Sequence, residues 1–250
     1  MTRGLSSAVK SQLASSSFVM AHLVKFYFNT IYRFTDYSSD ISESFSTSDN
    51  KLKVNTVVEC QSQVGCLSNH EVGQFVTGGG IPADTTIVLI EWDYDMFTMS
   101  NASLNTHVGS GYTLTFTDKY LSNGFLQGMG SISESSKLTV GSMDLVLSGV
   151  NQTMISDLLN YGHINKKVTI KRAYINPSTN ALIESISIFN GRVDGMQIND
   201  TNDTSEINLT VSNHWSDFNR KSGRTTTSNS QQQFFPYDKG FDFITHANLT

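Results

Sequence analysis

Acidic side chains cluster twice along the chain: Glu91 with Asp93 and Asp95, and Asp200 with Asp203 and Glu206, the latter set interleaved with Asn199 and Asn202. Glycoside hydrolysis needs two carboxylates held across a cleft. Asp93 and Asp95 instead flank Tyr94 in a turn-like segment, where Asp side chains cap backbone groups. The second cluster has the composition of a calcium loop. It lacks the glycine of the sharp turn and a bidentate Glu at the right offset, so it reads as a hairpin turn exposing polar side chains.

Gly78-Gly79-Gly80 has the density of a phosphate-binding loop, but neither Lys-Ser nor Lys-Thr nor a helix start follows. A tight connection ahead of Pro82 fits better. His22 falls in a strand, His163 follows a helix and His214 precedes Trp215. None of them lies in a sequence-local arrangement with a nucleophile and an orienting acid. Cys60 and Cys66 could close a small disulfide loop around Gly65, while two cysteines supply too few ligands for a structural zinc. No metal or cofactor is expected, and the residues point away from an enzyme.

The chain has 250 residues, of which only 16% are charged, with a net charge of −5. That length supports one large β domain or two smaller ones. A surface of hydroxyls and amides suits close packing with neighbours, and equally an ordinary β-rich extracellular domain. The acidic balance argues against a nucleic-acid groove. Lys166, Lys167, Lys171 and Arg172 alternate with Val168 and Ile170, the pattern of a solvated strand face. The apolar run 18–28 is interrupted by His22 and Lys25 and is too short to span a bilayer. Without a cleavage motif, it suggests a soluble intracellular product.

The spacing of Leu5, Val9 and Leu13 predicts a short helix over 6–15. A hairpin follows, with strands at 21–27 and 31–34 joined through Asn29-Thr30. Residues 36–49, rich in Ser and Asp, read as a loop. Short β-branched runs punctuated by turn residues then suggest a small antiparallel module, including a strand at 87–91. Further along come strands at 137–140 and 143–147, a helix at 153–159, and strands at 167–173 and 181–190. A Gly-flanked turn at 191–196 leads to an alternating strand at 207–211.

The whole reads as mainly β: an antiparallel β-barrel or sandwich with short helices and a smaller inserted β module. The main β domain comprises 1–55 and 106–221, the insert 56–105, and an extended C-terminal arm 222–250. Residues 222–233 lack apolar periodicity and read as a disordered segment or exposed arm. Five aromatics then fall between Phe234 and Phe243. They call for burial, on the chain's own core or on a neighbouring subunit.

Over 125–243 the chain resembles a family of tailed-bacteriophage minor tail proteins found in prophages and transducing-agent-like particles. The resemblance rests on the segment from Gly128 to Leu138, on Leu147-Ser148-Gly149-Val150, on the segment from Gly191 to Met196, on the segment from Trp215 to Arg220 and on the segment from Phe235 to Phe241. Tyr32-Arg33-Phe34-Thr35-Asp36 resembles the start of the same family. Residues 56–105 depart from it as an insertion, similar to small β modules of tail and fibre proteins. Many family members continue past the position of Thr250 into a cysteine-bearing region, so no enzymatic or cell-wall-degrading role is carried over from it.

The resemblance implies a tail-hub-like virion protein, assembled in the host cytoplasm and forming a homo-oligomeric ring of roughly six-fold symmetry. Its expected partners are other tail proteins such as the tube, adaptor, nozzle or fibres. Interface candidates are Trp92, Tyr94, Arg192, Asp194, Trp215, Phe234, Phe235, Tyr237, Phe241 and Phe243. The alternative is a tail-associated protein that binds or hydrolyses glycan or peptidoglycan, with Trp92 and Tyr94 at the centre of a carbohydrate-binding surface.

Overall fold

The computed structural model describes residues 6–14, 18–52, 57–60, 70–78, 80–91, 96–101, 109–131, 141–149, 151–201, 204–213, 227–233 and 235–240. The chain divides into two compact units, Met1–His214 and Trp215–Thr250. In chain order the first unit contains α1 (Ser7–Ala14), β1 (Val19–Tyr27), β2 (Ile31–Thr35), β3 (Ile41–Leu52), β4 (Val57–Cys60), β5 (Phe75–Thr77) and β6 (Ile87–Glu91). It continues with β7 (Met96–Met99), β8 (Gly109–Tyr120), β9 (Leu126–Met129), β10 (Ser142–Ser148), α2 (Gln152–Tyr161), β11 (Lys167–Ile175), β12 (Leu182–Asp200) and β13 (Ser205–Asn213). The second contains α3 (Ser228–Gln232).

The first unit is mainly β, as its punctuated apolar runs predict. Its strands form two antiparallel sheets, a seven-stranded one in the order β2-β1-β11-β12-β13-β10-β9 and a six-stranded one in the order β5-β8-β3-β4-β7-β6. One sheet curls into an open half-barrel. At the outer strands of the six-stranded sheet, the Ile87 amide donates to the Gln74 carbonyl at 2.9 Å and the Val76 amide to the Thr85 carbonyl at 2.8 Å. An isolated Phe75–Thr86 bridge accompanies these bonds. Edge groups that would otherwise lack partners are thereby satisfied.

The Gly-rich segment makes this contact possible. Gly78 has φ +104°, and a Cβ there would lie 2.6 Å from the Thr113 carbonyl oxygen. Only glycine tolerates both conditions. The Ile81 amide closes a turn onto the Gly78 carbonyl at 3.0 Å, and the buried Thr85 hydroxyl donates to the Pro82 carbonyl at 2.7 Å. The segment is the tight connection expected from its sequence.

Among the described residues, three apolar clusters pack the unit. The largest joins Val24, Phe26 and Phe34 to Leu145, Leu147, Val168, Ile170, Leu209 and Val211, with Met154 and Leu158 of α2 packed among them. The second lies on the six-stranded sheet around Val58, Val76, Phe97, Leu114 and Phe116. A third joins Ala21, Leu23, Ala173 and Ile175 of the large sheet to Ile41 and Tyr120 of the small one. Strand β1 is therefore apolar on both faces, which produces its nearly continuous hydrophobic run.

Helix α2 starts where Asn151 accepts a bond from the Met154 amide at 3.1 Å. Asn151→Ala is expected to lower stability by about 1 kcal/mol, the usual worth of such a cap. Chemical denaturation with an unchanged m-value would confirm it.

Two expectations are corrected. Most of the Ser- and Asp-rich stretch 36–49 is strand, since β3 begins at Ile41. Over 41–47 its side chains alternate, with Ile41, Glu43, Phe45 and Thr47 more buried than Ser42, Ser44 and Ser46. The serines pair across to β8, Ser44 with Thr117 and Ser46 with Thr115, each at 2.8 Å. Such cross-strand hydroxyl pairs support a sheet that composition alone reads as loop.

The Gly-flanked segment 191–196 is not a turn but the interior of the long strand β12. A register shift between Val193 and Gly195 leaves Asp194 in a bulge. The hairpin turn lies at Thr201–Thr204, where the Thr201 amide donates to the Thr204 carbonyl at 2.8 Å. In the aperiodic tail, Ser228–Gln232 forms the short helix α3. It is closed by the Phe235 amide on the Gln231 carbonyl at 2.9 Å and the Gln231 side chain on Asp238 at 2.7 Å. The strand expected at 137–140 lies outside the described residues.

Candidate functional site

Ionisable side chains concentrate where the two sheets face each other. Lys25 shares a face of β1 with Ala21 and Leu23, and its register partner on β2 is Arg33. Two like charges directly opposite each other repel. On the small sheet the register pair is Glu43 on β3 and Asp118 on β8, again of one sign. Opposite charges meet each repulsive pair: Asp118 and Glu71 bind Lys25 and Arg33, and Lys171 binds Glu43.

The geometry is specific. Lys25 Nζ donates to Asp118 Oδ2 and, at 2.8 Å, to Glu71 Oε2. Arg33 Nε lies 2.8 Å from Asp118 Oδ1, and its Nη2 lies 3.3 Å from Glu71 Oε2. Lys171 of β11 donates to both oxygens of Glu43 at 2.8 and 2.7 Å, and Ser185 of β12 donates to Oε1. The large sheet thus contributes three cations, and the small sheet with its 70–74 loop contributes three carboxylates.

Glu71 is held by its loop. Its amide donates to the side chain of buried Gln74 at 2.9 Å, and the Gly73 amide donates to the Ile87 carbonyl at 2.8 Å. Tyr27 donates its hydroxyl to Glu71 Oε1 at 2.8 Å. Burial, followed by the charge of Glu71, pushes the Tyr27 hydroxyl above the ordinary phenol range. Tyr27 therefore remains a neutral donor near pH 7. Lys167 Nζ lies 4.9 Å from the centre of its ring.

A cavity of about 460 Å³ opens beside this network, lined in part by Glu43, Phe45, Gln74, Lys171, Ser187 and Asn190. Beneath it, the buried ring of His70 packs against Phe45, Phe97 and Phe116, with the Phe116 centroid 4.1 Å away. The basic run 166–172 therefore does more than face solvent, because Lys171 is half-buried and bound to Glu43.

Elsewhere, His22 and Asp36 form a partly exposed pair. The His22 Nδ1 is 2.7 Å from Asp36 Oδ2, and the His22 amide donates to Oδ1 at 2.7 Å. Partial burial pushes the Asp36 carboxyl up, but the bonds from the His22 ring and amide outweigh it and hold the group below its ordinary value. A depressed carboxyl stabilises the fold above its unfolded-chain value and loses that contribution as pH falls through the folded value. Asp36→Asn is therefore expected to flatten the acid side of the stability profile below about pH 4. The effect should be no more than about 0.5 kcal/mol because the pair is solvent-screened. Urea midpoints across that range provide the measurement.

Four of the interface candidates lie among the described residues. Arg192 donates to the Asn165 carbonyl at 3.1 Å and so fastens the turn before β11, while Asp194 is exposed at the β12 bulge. Phe235 and Tyr237 are exposed within the second unit. Trp92, Tyr94, Trp215, Phe234, Phe241 and Phe243 lie outside the described residues, as do Asp93, Asp95, Asp203, His214 and the Cys60–Cys66 pairing. Glu91 is exposed at the end of β6. Asp200 and Glu206 flank the β12–β13 turn, and among the described residues no group of three or more His, Cys, Asp or Glu could hold a metal ion.

Sequence reasoning overlooked the inter-sheet network. One signal for it was present: a lysine inside an apolar strand requires a buried partner. No protein-family model matches the chain, and no curated protein sequence matches it.

Proposed function

We propose that this chain is a structural subunit of a tailed-phage virion. It forms a ring or hub in the tail and links the tube or adaptor to fibres or neighbouring tail proteins. The segment resemblances within 125–243 motivate the assignment. The observation that carries the assembly reading is the exposure of large apolar side chains at the end of α2 and just past it, where Leu159, Tyr161 and Ile164 are each more than half exposed. These exposed apolar side chains, close together in sequence, are the proposed contact residues. A second copy of the chain, related by rotation through a heterologous interface, is its proposed occupant.

Electron microscopy and sedimentation test the reading together. The purified chain is expected to form closed rings, and a Leu159→Glu, Tyr161→Glu, Ile164→Glu variant is expected to stay folded and monomeric. Density for the chain is expected in mature tails. Its absence there, or rings indifferent to the triple substitution, would defeat the assignment.

A further inference from the structure

We infer that the cavity between the two sheets is a binding site for a neutral, hydroxyl-rich ligand of one or two saccharide units. Its volume of about 460 Å³ lies within the range of small-molecule sites, about 300–1,000 Å³. The electrical state of its wall selects the ligand class. Lys171 is bound by Glu43, and Lys25 by Asp118 and Glu71, so each of these charges already has an opposite charge at bonding distance. An ionic ligand would have to displace one of these partners and strand the other. A hydroxyl can instead use hydrogen-bonding capacity left over on groups that are already fixed in place.

Such capacity is present at the rim. Asn190 Nδ2 donates to Ser187 Oγ at 3.0 Å. That bond leaves the Ser187 hydroxyl proton to donate, together with the Asn190 carbonyl oxygen to accept and its second N–H to donate. Glu43 Oε2 accepts from Lys171 and retains a second lone pair. Phe45 adds an apolar wall and is itself braced by Phe116, whose ring centre is 5.4 Å away at an interplanar angle of 22°. A rigid aromatic surface beside paired amide, hydroxyl and carboxylate groups matches a sugar, which has apolar C–H patches and alternating hydroxyls. Both Ser187 and Asn190 are exposed, so replacing them leaves the core intact.

The test is NMR titration of the intact chain with methyl α-glucoside, N-acetylglucosamine and maltose, using glucosamine and glucuronate as charged controls. At least one neutral sugar is expected to shift the Ser187 and Asn190 amide resonances with a dissociation constant of about 1–10 mM. The Ser187→Ala, Asn190→Ala variant should weaken that binding by about tenfold while its thermal unfolding is unchanged. No response to any neutral sugar at about 100 mM overturns the inference, given the affinity expected of such a site. So does equal binding by the double variant or tighter binding of either charged control. Ring formation is measured separately, so a monomer that binds sugar would retain this site while removing the ring assignment.

Discussion

Asp118→Ala is expected to destabilise the first unit by about 3–5 kcal/mol, the usual cost of removing one partner from a buried ionic group. Lys25 and Arg33 both contact this carboxylate, and both are almost fully buried. Without it, two cations that face each other across β1 and β2 retain, among the described residues, Glu71 between them. Lys25→Met with Asp118→Leu should recover most of the loss, because removing one cation together with the carboxylate leaves Arg33 balanced by Glu71. Denaturant unfolding of the single and double variants measures the recovery. If Asp118→Ala alone costs less than about 1 kcal/mol, the network behaves like an exposed ion pair and does not fasten the sheets.

Gly191→Ala should be comparably damaging. A Cβ at this point of β12 would meet the Ser212 carbonyl oxygen at 2.1 Å and the Phe189 ring at 2.6 Å. The ring could rotate away, but the carbonyl belongs to the adjoining strand β13. Its displacement would disturb the pairing of Gly191 with Asn213 and of Arg192 with Ser212. A loss of about 3 kcal/mol is expected, at the upper end of the usual cost of overpacking. Gly195→Ala provides the control, because a Cβ there has nothing within 4 Å. Thermal melts of the two variants should therefore differ widely, although their sequence changes are alike.

That contrast also shows what was legible beforehand. Alternation at 207–211 and the shared face of Met143, Leu145 and Leu147 predicted strands that the fold contains, and the Asn29-Thr30 hairpin is present. Gly191 misled because glycine serves both turns and close strand approach, and only the position of Ser212 separates the two uses. The serines of β3 misled because their support comes from Thr115 and Thr117, about 70 residues away in sequence, where single-residue propensity carries little weight. The network was least legible of all. Lys25, Arg33, Glu43, Glu71, Asp118 and Lys171 are spread over most of the first unit, and only the register of both sheets brings them together.

The pairing of β1 with β11 carries a consequence for the order of events during synthesis. Val19 pairs with Ile175 and Phe26 with Val168, so one side of the first strand has no partner until translation has passed the eleventh. At typical elongation rates this delay is on the order of ten seconds. Strands β3 and β8 leave the ribosome well within that interval and can gather the small sheet first. The apolar first strand is then the segment most in need of shielding while the chain is being made.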